Sequence, residues 1–332
     1  MPNQTTSPVL VEVTRGPEVE SRHRGQMVVA EATGKLHHQL GDPEVLVCLR
    51  SLAKPFQALA VLTSGAAKAF GFGGAELALF SGSLSGQNFQ TFLITSVLER
   101  LGLKSEALQC GTHPPLHKPT AQALAKAGGK PSPLHHTCAG KHAAMLALCV
   151  HHGWPISDYL NPAHPVQQLI LGHVARMVGV PKAQIPVAID GCGAPVFYVP
   201  LKNIALGYAR LAASQPGSPA GDLMEAIVTH PRHIAGDGRL DTEVMQALPG
   251  KIFAKAGSEG GYAFCLIEGA LGMALKIEDG GTRAVNPSIV ALLSQLGVMT
   301  PAAAKALAPF RQPAILNHRK EEVGRIRPVF KL

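Results

Sequence analysis

Apolar and polar positions follow one rhythm through the first fifty residues and another after them. "VLVEVTRG", "GQMVVAEATG" and "VLVCLR" are short β-rich runs split by Gly, Pro and Asp, which predicts a meander of strands. From Ser51 onward apolar residues recur every three or four positions. "PFQALAVLTSG", "AELALFSG" and "FQTFLITSVLERLG" each read as a helix that closes near a glycine. The helical period continues through "TAQALAKAG", "GKHAAMLALCVHHG", "HPVQQLILGHVARMVG" and "GDLMEAIVTH". "GKIFAKAG", "GGYAFCLIEG" and "GMALKIEDGG" then return to strand patterning with Gly-rich turns, before two last helices in "NPSIVALLSQLG" and "PAAAKALA". Strands, a large helical block and strands again predict an α+β fold, with one antiparallel sheet built from both ends of the chain and helices packed on it. There is no internal repeat and no long low-complexity linker. A single domain over residues 9–330 follows, preceded by a polar tail over residues 1–8.

Composition narrows the class. The chain has 332 residues, 46% of them hydrophobic, enough for a substantial core. No apolar run approaches the ~18–20 residues that span a bilayer. The opening "MPNQTTSP" lacks the basic and apolar regions of a signal peptide, so a cytoplasmic protein without a membrane partner is expected. The formal charge is +8, but its lysines and arginines are scattered. The one dense group, "NHRKEEVGRIR", also carries two glutamates. With one Trp and four Tyr there is little surface for stacking bases, and no nucleic-acid partner is expected. Six cysteines lie far apart with no C-x-x-C pair. Cys149 and Cys265 sit in apolar runs and read as core filler. Cys110, Cys138 and Cys192 sit among Gly and His, where packing explains them less well.

Two constellations carry candidate chemistry. "RSLAKPFQA" places Ser51 and Lys54 three residues apart, on one face of a helix and within possible hydrogen-bond reach. Alone, this reads first as an N-cap serine beside a solvated lysine, and Pro55 disfavours helical geometry at Lys54 unless it falls in the first turn. Much later, Lys255-Ala256-Gly257-Ser258 resembles the K-T-G element that accompanies S-x-x-K in serine β-lactamases and penicillin-binding proteins. "SGSLSG" lies between them and offers a third serine. In that order the elements point to a serine amidohydrolase. The second constellation is "HHTCAGKHAAM" with "IDGCGAP". Cys138 and Cys192, with His135, His136 and His142 nearby, offer donors for zinc, or else Cys138 packs and "DGCGAP" is a tight turn.

Taken together, "RSLAKPFQA", "SGSLSG", "LQCGTHPPLH", "TCAGKHAAMLAL", "HPVQ", "DGCGAPVF", "AKAGSEGG" and "GRIRP" resemble, in order, the blocks of the Rhizobium etli-type (class 3) L-asparaginases, the asparaginase II family. The resemblance runs from about Leu10 to Pro328. It implies a serine β-lactamase-like fold, hydrolysis of L-asparagine to L-aspartate and ammonia, and a homodimer. It also implies site residues. Ser51 matches the nucleophile and Lys54 its partner in a first Ser–Lys tandem. Ser83 and Lys255 match the second tandem, with Lys276 as the alternative lysine. Cys138, Lys141 and Cys192 match a zinc site, with Asp190 close by. Asp190 and Ser258 are expected at the substrate. The family usually reads A-S-H-S-G-E around the second serine, whereas Leu84 and Gln87 replace its His and Glu here. On this reading Lys54 acts as base only when neutral, which burial and a second cation at Lys255 would favour. Ser51 then forms an acyl-enzyme, Ser83 relays protons, and the Ser51 backbone N–H and one near Ser258 hold the oxyanion. Two other readings share these residues: a zinc hydrolase that activates water at the metal, and a non-catalytic amino-acid binder.

Overall fold

The computed structural model describes residues 7–332. Residues 1–6 of the expected tail lie outside that range; Ser7 is buried, its carbonyl accepting from Arg24 at 2.8 Å and its hydroxyl from Gln26 at 2.5 Å. The fold is α+β. Strands β1 (Val9–Arg15), β2 (Glu18–Glu31) and β3 (Leu36–Leu40) come from the start of the chain. After β4 (Leu46–Cys48) come the helices α1 (Lys54–Thr63), α2 (Ala66–Ala69), α3 (Gly74–Ser81), α4 (Asn88–Arg100), α5 (Lys118–Lys126), α6 (Ala139–His152) and α7 (Pro165–Val178). The short strands β5 (Val187–Ile189) and β6 (Pro195–Pro200) precede α8 (Leu201–Ala212), α9 (Pro219–Thr229), α10 (Pro231–Ile234) and α11 (Leu240–Ala247). Strands β7 (Ile252–Ala256), β8 (Gly261–Leu266) and β9 (Leu271–Ile277), helices α12 (Val285–Gln295) and α13 (Pro301–Arg311), and strands β10 (Ala314–Leu316) and β11 (Glu322–Pro328) complete the chain.

The main sheet runs β10-β11-β1-β2-β9-β8-β7, with β3 also on β2, and every pairing is antiparallel. Both chain ends therefore build it, as the pattern predicts. Expecting a single sheet needs correction: β4, β6 and β5 form a second, three-stranded sheet. Those strands are too short and too close to helical segments to show a period-two pattern of their own. β2 also begins seven residues before "GQMVVAE". Its first half, "EVESRHR", pairs with β1 and leaves charged side chains in water, so no apolar alternation marks it. Its second half is enclosed between β9 on one edge and β3 on the other.

One helix absent from the sequence reading, α8, does most to seal the sheet. It lies across β2, β8 and β9. Contact is so close that a Cβ on Gly272 of β9 would run into the Ala205 carbonyl and the Ala209 amide. Helices α1 and α6 form the centre of the helical block, and every residue of α6 from Ala139 to Cys149 is buried, Lys141 included. A helix apolar on all sides belongs in an interior. The basic C-terminal cluster is met by acids: Arg325 pairs with Glu322, Arg327 with Glu12 and Arg319 with Glu321. No described helix is long and apolar enough to cross a membrane.

The α8–β9 contact gives a direct test. Gly272→Ala is expected to cost about 1–3 kcal/mol through overpacking against backbone. Gly172→Ala, inside α7 with open space around it, should instead stabilise by about 0.5–1 kcal/mol. Denaturant unfolding of both variants measures the contrast, and equal effects would contradict the packing described.

Candidate active site

Arg50–Ala53 forms a 3-10 turn that runs directly into α1 at Lys54. Lys54 keeps helical angles (φ −56°, ψ −42°) because Pro55 falls in the first turn, where its missing N–H costs nothing. In a 3-10 turn residues i and i+3 eclipse, so Ser51 and Lys54 stand on the same side. They are not hydrogen-bonded to each other. Lys54 Nζ lies 3.0 Å from Ser83 Oγ and donates to the Thr137 carbonyl at 3.1 Å. Lys255 approaches from β7, its Nζ 2.8 Å from the same Ser83 Oγ and donating to the Ala256 carbonyl at 2.6 Å. Ser83 thus sits between two lysine amines, both with no exposed surface. Lys276, the alternative lysine, instead donates to the Glu259 carbonyl.

Ser83 is held by its backbone. Its N–H donates to Ile234 at 2.7 Å, and the next N–H, of Leu84, donates to the Thr137 carbonyl that also takes Lys54. Behind Thr137, its own N–H donates to His113 Nε2 at 2.9 Å. The two departures from the family pattern both turn into the fold. Leu84 has no exposed surface and packs in the core. Gln87 exchanges two bonds with Asp237, giving its Nε2 proton to the carboxylate at 3.0 Å and accepting the Asp237 N–H at 2.8 Å. A glutamate at that place would face a carboxylate already clamped by Arg232.

Burial decides the charge of the lysine pair. Desolvation pushes Lys255 down to about 7, opposed by Asp241 and helped by the neighbouring Lys54. Desolvation also lowers Lys54, with Cys138 opposing it and Lys141 adding to it. A serine hydroxyl has one proton to give, so an arrangement of two amines around it is satisfied when one amine is neutral and accepts that proton. The Ser51 hydroxyl, by contrast, has no hydrogen bond to any described residue and is not sealed from solvent. The Ser51 and Ser258 amides also lack protein acceptors among the described residues. Gly257 lets the end of β7 press on this turn, since a Cβ there would sit 3.1 Å from Leu52 Cγ.

Beside this cluster, Cys138 precedes the first residue of α6, Lys141 lies in its first turn, and Asp190 and Cys192 sit in the turn between β5 and β6. The two sulfurs and an Asp190 oxygen lie within 4.8 Å of one another. None of the nearby histidines joins them: His136 accepts from the Cys138 N–H, His135 bonds Ser132, and His142 bonds the Tyr159 hydroxyl. Lys141 donates to Asp190 at 3.1 Å, and Arg50 takes the other oxygen at 3.0 Å. Burial pushes the Asp190 carboxyl up, but Lys141 and Arg50 outweigh it and hold it below its usual range. The Cys138 thiol is driven well down by its hydrogen bond with Cys192 and by both lysines, while Cys192 rises in step. A shared proton between two sulfurs beside a carboxylate is a donor set that suits a soft divalent ion such as zinc.

Sequence reasoning missed Arg50, Thr137 and Asp241. Arg50 has a left-handed backbone (φ 41°) that few non-glycine residues accept, immediately before Ser51. Glu259, which faces Arg50 at 3.9 Å, is also left-handed (φ 54°). Asp241 is buried at the start of α11 and accepts the Ala256 N–H on the open edge of β7. No local signal marks any of them, because each acts through a partner distant in sequence.

Because Lys255 binds fewer protons folded than unfolded between about 7 and its ordinary 10.5, it makes stability rise with pH across that window. Below 7 the lysine is protonated in both states and the slope ends. Urea unfolding of the wild type and Lys255→Met should therefore diverge, the wild type gaining on the variant as pH climbs. Parallel curves would contradict the depressed lysine.

No curated protein matches the chain by sequence. Similar solved structures include a β-lactamase from Mycobacterium bovis (13% identity, 86% of this chain and 95% of that one, TM-score 0.39). EstCE1, a hydrolase with promiscuous acyltransferase activity, is 12% identical over 91% and 93% with a TM-score of 0.40. A Bacillus glutaminase is 13% identical over 82% and 91% with a TM-score of 0.34. None of these distant likenesses bears on activity. The sequence profile of L-asparaginase II matches residues 11–328, nearly the whole chain, and the chain belongs to that family.

Proposed function

We propose that this amidohydrolase is an L-asparaginase working through a Ser–Lys nucleophile and an acyl-enzyme. One observation carries the mechanism: Ser83 Oγ lies between two buried lysine amines, one of them lowered to about 7. Ser51 Oγ attacks the side-chain amide carbon as its proton passes to Lys54, which at the same time passes one of its own through Ser83 to neutral Lys255. The Ser51 and Ser258 amides, free of acceptors among the described residues, stabilise the oxyanion. Collapse breaks the C–N bond, and the lysine returns its proton to the leaving ammonia. Water then attacks the ester, its proton taken by the same relay, and L-aspartate leaves with the Ser51 hydroxyl restored. Arg50 and Asp190 would meet the charged end of the substrate.

Zinc belongs to the same proposal. Cys138 and Cys192 would hold it, with Lys141, as the resemblance implies, or Asp190, already in reach, as a third ligand. Bound there, zinc supplies a Lewis-acidic positive charge. Lys141 must lose its proton to ligate, or keep it and stay paired with Asp190. A homodimer in the cytoplasm completes the proposal, and light scattering on the purified protein tests the dimer.

A second reading has its own support. Ser83 Oγ touches both lysines while Ser51 Oγ touches neither, so Ser83 itself would carry the acyl group.

Purified protein should release ammonia from L-asparagine much faster than from L-glutamine. Ser51→Ala and Ser83→Ala should each lower kcat by about a thousandfold or more, and Lys255→Met by about a hundredfold or more. Mass spectrometry of quenched enzyme places the acyl group on Ser51 or, under the second reading, on Ser83. Activity surviving both serine changes but lost on chelation would replace both with metal-activated water. No ammonia release from a folded, zinc-loaded sample would favour a binding protein.

Elemental analysis should find one zinc per chain in the wild type and nearly none in Cys138→Ala or Cys192→Ala. Zinc kept in Asp190→Asn assigns the third ligand to Lys141; zinc lost assigns it to Asp190. Absence of zinc from protein purified without chelators would remove the metal from the proposal.

A further inference from the structure

Beyond the Ser83 cluster, a cavity of about 400 Å³ opens where the start of α11, the ends of β7 and β8, and the start of α12 meet. Its wall includes Arg239, Asp241, Ala256, Tyr262, Arg283 and Asn286, and none of Ser51, Lys54, Ser83 or Lys255. Several of these groups have polar atoms with no protein partner.

Arg239 is only half-buried, yet no hydrogen bond or ion pair with a described residue engages its guanidinium. Asp241, two positions on, gives one carboxylate oxygen to the Ala256 N–H. The Tyr262 hydroxyl is fully buried without a hydrogen-bond partner. Tyr262 stands opposite Ala256 in the β7–β8 register, so the two share the face of the sheet that lines the cavity. Arg239 and Asp241 both act on the acidity of that hydroxyl, which places all three in one electrostatic neighbourhood. The Asn286 amide makes no hydrogen bond to a described residue. Arg283 is held through its Nε by His23 and through one terminal nitrogen by Ser21, leaving the other terminal nitrogen free.

We propose that this cavity is a second binding site, distinct from the Ser83 centre, for a small α-amino acid. Arg239 meets the carboxylate in a charge-assisted pair, which guanidinium geometry favours. Asn286 gives its amide protons to the same carboxylate, and Asp241 takes the ammonium through the oxygen not held by Ala256. A carboxylate without an ammonium leaves Asp241 facing a like charge, so an amino acid is preferred over a dicarboxylate of the same length. The volume exceeds that of one aspartate and leaves room for water. Lys255 feels both Arg239 and Asp241 across the end of β7, so occupancy couples electrostatically to the Ser83 cluster.

L-Aspartate, with succinate as the comparison lacking the ammonium, is titrated calorimetrically into the Ser51→Ala protein, where no turnover interferes. Two aspartates per chain are expected, one of them weakened at least about tenfold by adding Arg239→Met and less strongly by Asn286→Ala. Succinate is expected to bind the second site more weakly than aspartate. Diffraction from aspartate-soaked crystals of the unsubstituted protein should show the amino acid between Arg239 and Asn286, which guards against a variant that fails to fold. One aspartate per chain unaffected by Arg239→Met, or a cavity holding only water, overturns the proposal. A single aspartate that Arg239→Met removes, and that diffraction places against Ser51 and not between Arg239 and Asn286, merges the cavity with the catalytic pocket and overturns its independence. These readouts need no ammonia release, so they stand whether or not the chain is an asparaginase.

Discussion

Two lysine amines share one dry compartment, and both cannot be charged there without cost. That constraint organises the molecule. Burial from water is enforced by α1 and α6, whose central residues are wholly enclosed, and by the edge strand β7, which delivers Lys255. Ser83 supplies the hydroxyl both amines need, and Thr137 and Ala256 supply the carbonyls that fix their direction. A few ångströms away the opposite economy holds. Two sulfurs and a carboxylate gather negative charge, and Lys141 and Arg50 answer it. The anionic cluster pulls Lys54 back toward its ordinary ionisation against burial, and Lys54 in turn helps to drive the Cys138 thiol down.

Backbone geometry at the rim fits that picture. Arg50 and Glu259 both adopt left-handed angles, and each carries a charged side chain toward the other. Such positions cost on the order of 1–3 kcal/mol and persist where surroundings over-determine them. Here the surroundings are Asp190, which grips Arg50, and the tight Gly257–Gly261 turn, whose ends are hydrogen-bonded.

The period change at Ser51 and the return to strands near Lys251 were legible in the sequence because each spans many residues of one face. The S-x-x-K and K-x-G pairings were legible as short patterns. Their junction was not: Lys255 and Ser83 are 172 positions apart, and nothing local aims one at the other. The helix α8 escaped because "LKNIALGYARLA" follows directly on a strand and a proline, and β10 because three residues show no period. Gln87 illustrates the converse. It stood out as a departure from a family pattern, yet the structure turns its amide to Asp237. Arg50 and Asp241 carried no pattern at all, since their meaning lies in partners supplied by the tertiary fold.

The way β1 is seated also governs how the chain is made. Thr14 on β1 meets Arg325 on β11, 311 positions later. At about 5–20 residues per second, synthesis of the intervening chain takes roughly 15–60 s. Throughout that interval one edge of β1 emerges without a partner, and until β9 is made so does the edge of β2 destined for it, presenting unpaired amides and the apolar run "MVVA". Such edges are templates for the wrong strand. Slower translation lengthens that exposure, so what shields this nascent hairpin matters as well as the stability of the finished sheet.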